Sequence, residues 1–208
     1  MKPIFPIMAA MLAACLSASA QQSRSYDAFM SEAGENSVIF RGHRAMQYEF
    51  RYNGHPYWDG RSFERGSVEF NGKTYSGILL NIDCCSQDLL AVFDNELSAI
   101  VLDQDHVGNI RIGERQFALS ETVSPKLPTR YVEIFSTSGG PLYRCRKKDV
   151  NTSSDGITPS KLGYEVDNFN YSLNRYFMLR ETWYTERKGT IKKIGRHKAQ
   201  KMIADETR

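Results

Sequence analysis

The chain has 208 residues, 25% of them charged, and a formal net charge of +3. That length suits one domain with a core large enough to stand without staples, and no segment after the first twenty residues reaches the 18 apolar residues of a membrane span. Three of its four cysteines follow residue 20, an odd number that excludes a disulfide framework.

The first residues read as an export signal. Lys2 is the only charge before Arg24, an apolar run from Ile4 to Ala14 follows it, and small residues lead to Ala18-Ser19-Ala20. Basic, apolar, then A-x-A is the order of a cleavable leader, so residues 1–20 are expected to be removed after Ala20. A second processing route competes. Leu12-Ala13-Ala14-Cys15 has the form of a bacterial lipobox, in which residues 1–14 leave and the Cys15 thiol is acylated. Both routes predict an exported protein of the periplasm or outer envelope. Only the second attaches it to a membrane.

Past the leader, residues 21–208 are expected to form a single β-rich domain. Tyr26–Ala33 carries a short helical pattern, and Val38-Ile39-Phe40 reads as a strand. Ala45–Tyr52 alternates, with Met46, Tyr48, Phe50 and Tyr52 on one face, which predicts a half-buried strand. Asn53-Gly54 and Asn71-Gly72 carry the signature of tight type I′ hairpins. Pro56 demotes whatever follows the first of them to an edge or irregular strand. Further strands are predicted over 77–82, 89–93, 99–102, 110–112, 116–119, 131–135 and 142–145, with a polar loop over 151–163 and a last hairpin from 176–179 to 182–184. Short strands joined by turns, with no helical period between them, predict a mainly β fold: an antiparallel meander of about eight to ten strands that packs one face or curls toward a barrel.

The end of the chain differs. Residues 21–186 hold 18 Lys and Arg against 22 Asp and Glu, whereas 187–208 hold 8 against 2. Ile191, Ile194, Ala199, Met202 and Ile203 fall near helical spacing among lysines, which predicts a basic amphipathic helix over 187–204, kinked or started at Gly195. Lys192, Lys193, Arg196, Lys198 and Lys201 are its candidate contacts to an anionic partner such as lipid headgroups, a polysaccharide or an acidic protein patch. An alternative is a plain solvated face whose isoleucines dock on the sheet.

GHPYW (54–58), FERGSVEFNGKTYSGILLNID (63–83) and IVLDQDHVGNIRIGERQF (100–117) resemble, in this order, a group of uncharacterised exported cell-envelope proteins of Bacteroidetes-type bacteria. The resemblance covers residues 36–203 and departs from the pattern at Cys84-Cys85. It implies an envelope protein and carries over no active site.

The chemistry-bearing residues are sparse. His43, His55, His106 and His197 have no metal-ligand spacing, although His43, His55 and Asp59 could converge in space. Nearby Asp83 and Asp88 would raise rather than lower the thiol pKa at Cys84-Cys85. One bridge from Cys145 to Cys84 or Cys85 is an expectation, and three buried thiols the alternative. Asp103 and Asp105 lack a calcium-loop pattern, and Gly139-Gly140-Pro141 is a hairpin tip rather than a phosphate loop. No catalytic residue, cofactor or metal is expected, and no nucleic-acid partner. The sequence thus favours a non-enzymatic interaction or structural module. A lipocalin-like carrier of a small apolar ligand, lined by Tyr48, Phe50, Tyr75 and Tyr131, is the alternative, and a hydrolase assembled only in three dimensions comes last.

Overall fold

The computed structural model describes residues 39, 41–92, 98–152, 170, 173–187 and 189–206. The leader with Cys15 and Ala20, the helical pattern at 26–33 and most of the 151–163 loop lie outside them. Two compact units are distinguished, 1–41 and 42–208. The second carries all that follows.

Eleven strands form one antiparallel sheet: β1 (His43–Arg44), β2 (Glu64–Phe70), β3 (Lys73–Asp83), β4 (Asp88–Val92), β5 (Ile100–Val101), β6 (Val107–Ile112), β7 (Arg115–Leu119), β8 (Tyr131–Phe135), β9 (Leu142–Thr152), β10 (Arg175–Arg187) and β11 (Thr190–Ile194). Two short helices are added, α1 (Ser120–Val123) and α2 (Arg196–Glu206). The spatial order β1-β5-β4-β3-β2-β6-β7-β8-β9-β10-β11 is two meanders running opposite ways from β2. The expected meander is therefore present, and it does not close: β1 and β11 remain its two ends. It nevertheless bends strongly. The β3–β4 turn touches β9, although four strands lie between β3 and β9 in the sheet: Lys148 N donates to Cys84 O at 2.9 Å and Gln87 Nε2 to Arg146 O at 3.1 Å.

Register shows which side chains share a face, because paired residues project the same way. One row crosses seven strands: Val68, Ile110, Phe117, Glu133, Arg144, Trp183 and Ile194. This inner face is apolar through β2, β6 and β7 and becomes charged from β8 onward. On the outer face, Val132, Tyr143 and Cys145 pack with Leu127, beneath Val123 of α1 and beside Tyr184 and Ile191.

Several sequence expectations need correction. Asn71-Gly72 does form the predicted tight turn, with φ of 53° and 70°, but Asn53-Gly54 does not. Asn53 is buried and bridges Tyr176 of β10 instead, its side chain holding Asn170 N, Asn170 O and Leu173 O. The predicted 176–184 hairpin is one continuous strand, β10, paired with β9 from Arg175 to Thr185. The 187–204 helix is a strand followed by a helix. Thr190–Ile194 pairs with β10, and α2 begins only after Gly195. A strand has two faces, so Ile191 joins the outer cluster while Ile194 joins Leu142, Trp183 and Ala199 on the inner one. The predicted strand 45–52 leaves the sheet edge after Ala45 N bonds Ala99 O, and no residue from 46 to 52 belongs to a ladder. Among the described residues, no helix is long and apolar enough to cross a membrane.

Candidate functional site

The segment Asn53–Gly60 (NGHPYWDG) builds the centre of the molecule. Asn53 N donates to Arg175 O at 2.9 Å and Asn53 O accepts from Phe177 N at 3.1 Å, fixing its start to β10. Pro56, without an N–H, offers its carbonyl to Cys84 N at 2.9 Å, and Tyr57 bridges Asp83 at the end of β3. The segment thus spans from one arm of the bent sheet to the other. Lys148, 3% exposed, ties it down from β9 by donating to the His55 and Tyr57 carbonyls.

This tether drives Trp58 onto the inner face. The indole is 2% exposed, meets Phe117 edge to face at 5.1 Å and donates through Nε1 to Glu133 at 3.3 Å. The Arg144 and Arg146 guanidiniums lie 5.9 and 5.8 Å from its ring centre. The next residue, Asp59, pairs with Arg115, Arg144 and Arg146, while Glu133 pairs with Arg144 and Glu181 with Arg146. Burial alone would raise the Asp59 carboxyl, but Arg146, Arg144 and Arg115 outweigh it and hold it below the usual carboxylate range. Burial carries Glu133 the other way, above its ordinary value, against the pull of Arg144. Two carboxyls displaced in opposite directions are the electrostatic signature of an acid–base pair. Here Glu133 is 2% exposed, bonded by the Trp58 indole and paired with Arg144.

Outside this plug lies an open cleft of about 1370 Å³. Its wall is formed mainly by residues 44–63, with Tyr48, Phe50, Tyr52, Tyr57 and Phe63 supplying rings and Arg44, Arg51 and Arg61 positive charge. Tyr48 and Tyr52 rest on Phe177 at 5.1 and 4.9 Å. The Tyr48 hydroxyl donates to Asp83, whose other oxygen accepts Cys85 N and Ser86 N and so shapes the β3–β4 turn. Burial, with Asp83 nearby, pushes the Tyr48 hydroxyl well above its ordinary value. His55 is pulled down to about 4 by burial and by Lys148, so at neutral pH its ring is uncharged.

Cys84, Cys85 and Cys145 are all free thiols, so the expected bridge is not formed. Cys145 sits in the outer-face cluster, opposite the inner-face side chains of its neighbours Arg144 and Arg146. Burial pushes Cys84 and Cys85 from 9.0 up to about 12 and Lys148 from 10.5 down to about 8. The signs fix an alkaline profile. Between pH 8 and 10.5 the unfolded Lys148 binds more protons than the folded one, which lets stability rise with pH. Above pH 9 the folded thiols keep protons that the unfolded ones lose, which lowers it. The decline is therefore steepest above pH 10.5. Cys84 accounts for on the order of 4 kcal/mol of it by pH 12, and Cys84→Val should flatten the curve of denaturation midpoint against pH. An unchanged slope would remove this thiol from the account.

The other sequence candidates are dispersed. Tyr75 and Tyr131 are buried in the sheet and do not line the cleft, so with Tyr48 and Phe50 they form no common interior. His43 lies exposed on β1, and Asp59 is held by arginines, so His43, His55 and Asp59 do not converge as a site. Asp103 accepts from Asp105 N and caps a single 3-10 turn. Lys192 and Lys193, alternating along β11, point to opposite faces. Arg196 pairs with Glu181, while Lys198 and Lys201 stand exposed on α2. The five cations thus form no single stripe. The plug and the cleft were both missed at the level of sequence. Arg144, Arg146 and Lys148 recur at the strand period of two, and that repeat was the available signal of a charged inner face. No family model, curated protein or solved structure matches the chain.

Proposed function

We propose that this protein is a non-enzymatic binding module of the cell envelope, and that its contact surface is the cleft walled by residues 44–63 rather than the basic C-terminus. The envelope location rests on the leader and the family resemblance. The cleft carries the rest of the argument. It is open, it joins half-exposed aromatic rings to Arg44, Arg51 and Arg61, and its acid, Asp59, is already engaged by three arginines. Rings and forked guanidiniums side by side are recognition chemistry. The titratable groups at its base do not suit proton transfer near neutrality: Tyr48 is displaced upward and His55 downward. A lipocalin-like pocket is less favoured, because the inner face is filled by Trp58 and the ion pairs, and the cleft wall mixes charge with rings.

Co-purification from the native envelope, with the partner and the mature N-terminus identified by mass, supplies the ligand for the test. Phe50→Asp with Arg51→Glu should weaken that partner by about tenfold or more, the loss of a ring anchor and a charge contact, at an unchanged unfolding midpoint. Lys198→Glu with Lys201→Glu should leave it bound. The reverse result moves the contact surface to α2. Full binding by both variants ends the reading.

A further inference from the structure

We infer that the cleft receives an extended, carboxylate-bearing peptide segment of a partner protein, which adds a strand to residues 46–52. This rests on the cleft being the contact surface and says what fills it.

Sequence and structure part company at one segment of the cleft wall. MQYEFRY (46–52) has strand composition and strict alternation, yet among the described residues none of its backbone N–H or C=O groups has a hydrogen-bond partner. Its flanks do: Ala45 N bonds Ala99 O, and Asn53 bridges β10. The segment is therefore held at both ends, with seven unpaired residues between, a run of about 23 Å at strand spacing. The segment is irregular and not a strand of the sheet, but backbone groups left unpaired in a chain pinned at both ends are open to pairing with an added strand.

The side chains agree. Tyr48 and Tyr52 turn toward Phe177 and anchor the segment, while Met46 and Phe50 stand 65% and 52% exposed. Isolated exposed apolar residues are ordinary, but two of them on an unpaired alternating segment offer side-chain sites beside a main-chain template. The cleft, at about 1370 Å³, exceeds the roughly 300–1,000 Å³ of sites for single small molecules and suits a length of polymer. Charge selects the occupant. Arg44, Arg51 and Arg61 face the cleft, and Asp59 is neutralised from behind by Arg115, Arg144 and Arg146, so an acidic segment is favoured.

Hydrogen exchange on the full chain tests the premise without any ligand. The amides of 46–52 should exchange as fast as those of an unfolded peptide, while those of β9 and β10 are protected. Slow exchange at 46–52 overturns the inference. The occupant is tested with an array of acetylated, amidated octapeptides alternating Val, Ile or Phe with Asp, Glu or Thr. The best binder should protect 46–52 from exchange. Methylating its alternate backbone nitrogens, or replacing its acids with Lys, should each weaken it by about tenfold or more. Binding indifferent to N-methylation means a side-chain groove, which overturns strand addition yet leaves the binding-module reading intact. Retention of polygalacturonate with no peptide bound reassigns the cleft to an acidic glycan. If neither binds, and the cleft variant keeps its envelope partner, both readings fall together.

Discussion

Trp58→Ala should destabilise the protein by about 3–5 kcal/mol, the range for truncating a buried aromatic. The residue lies on an irregular segment, where a substitution would ordinarily be mild, so the expected size depends wholly on what the indole touches. It fills the inner face against Phe117 and gives Glu133 one of its two kinds of donor, the other being Arg144. Alanine leaves a void and strips a donor from a buried carboxylate. Trp58→Phe separates these effects, since it keeps most of the volume and loses only the N–H, for about 1–2 kcal/mol. Urea unfolding of both variants checks the pair. Trp183, the other tryptophan, packs tilted against Phe135 and remains as the fluorescence probe. A loss below about 1 kcal/mol for Trp58→Ala would mean that segment 53–60 lies over the sheet as a cover and does not form its core.

That segment also marks where the sequence stopped being readable. Strand existence came from local signals. Val68 and Phe70 alternate, Asn71-Gly72 turns, and Tyr75 resumes, so β2 and β3 are written in twenty consecutive residues. Local signals say nothing of which distant residue meets which. Asn53-Gly54 has the same letters as Asn71-Gly72, yet Asn53 is drawn into a bridge with β10, more than a hundred residues away, and tertiary contact overrides the turn propensity. Arg180-Glu181 looked like a break between two short strands because charge usually marks a turn. Glu181 is instead paired with Arg146 on the inner face, so the charge belongs mid-strand. The same error shortened β9 at Cys145, just before the Arg146 and Lys148 that hold the plug. At the C-terminus, isoleucines three apart and basic residues satisfied a helical pattern, whereas the pairing of Arg187 with Thr190, with Gly189 at a φ of 71°, makes a hairpin of it. Ile191 and Ile194 are three apart because they serve opposite faces of a strand. A lone segment that satisfies its local code and finds no strand partner among the described residues, as 46–52 does, is the remaining mismatch, and mismatches of that kind concentrate where a protein meets something else.

Arg146→Met should prove as damaging as loss of the tryptophan, by about 3–5 kcal/mol, because it takes the main counter-charge from the buried Glu181 and a strong one from the partly exposed Asp59. The Arg146 side chain is 12% exposed and Glu181 9%. Its guanidinium bonds Asp59, Glu181 and the Trp58 carbonyl together, so one head group joins β9, β10 and the plug. Asp59 keeps Arg115 and Arg144 in the variant, and Glu181 keeps Trp183 Nε1 at 2.8 Å and a long contact to Arg196. Those remnants set the lower end of the range. The pH dependence follows from sign. Asp59 titrates below its unfolded value of 3.8 in the native chain, so its contribution is present above that pH and lost as the pH falls through the folded value. The variant has less of this contribution to lose, and the gap between the two proteins should narrow on acidification below about pH 4. Pairing the change with Glu181→Met removes a stranded charge and replaces an ion pair by apolar volume, which should recover much of the loss. A double variant as unstable as the single one would assign the damage to Asp59 and Trp58. A single variant within about 1 kcal/mol of the native protein would mean that water reaches the network and that its charges act as surface charges do.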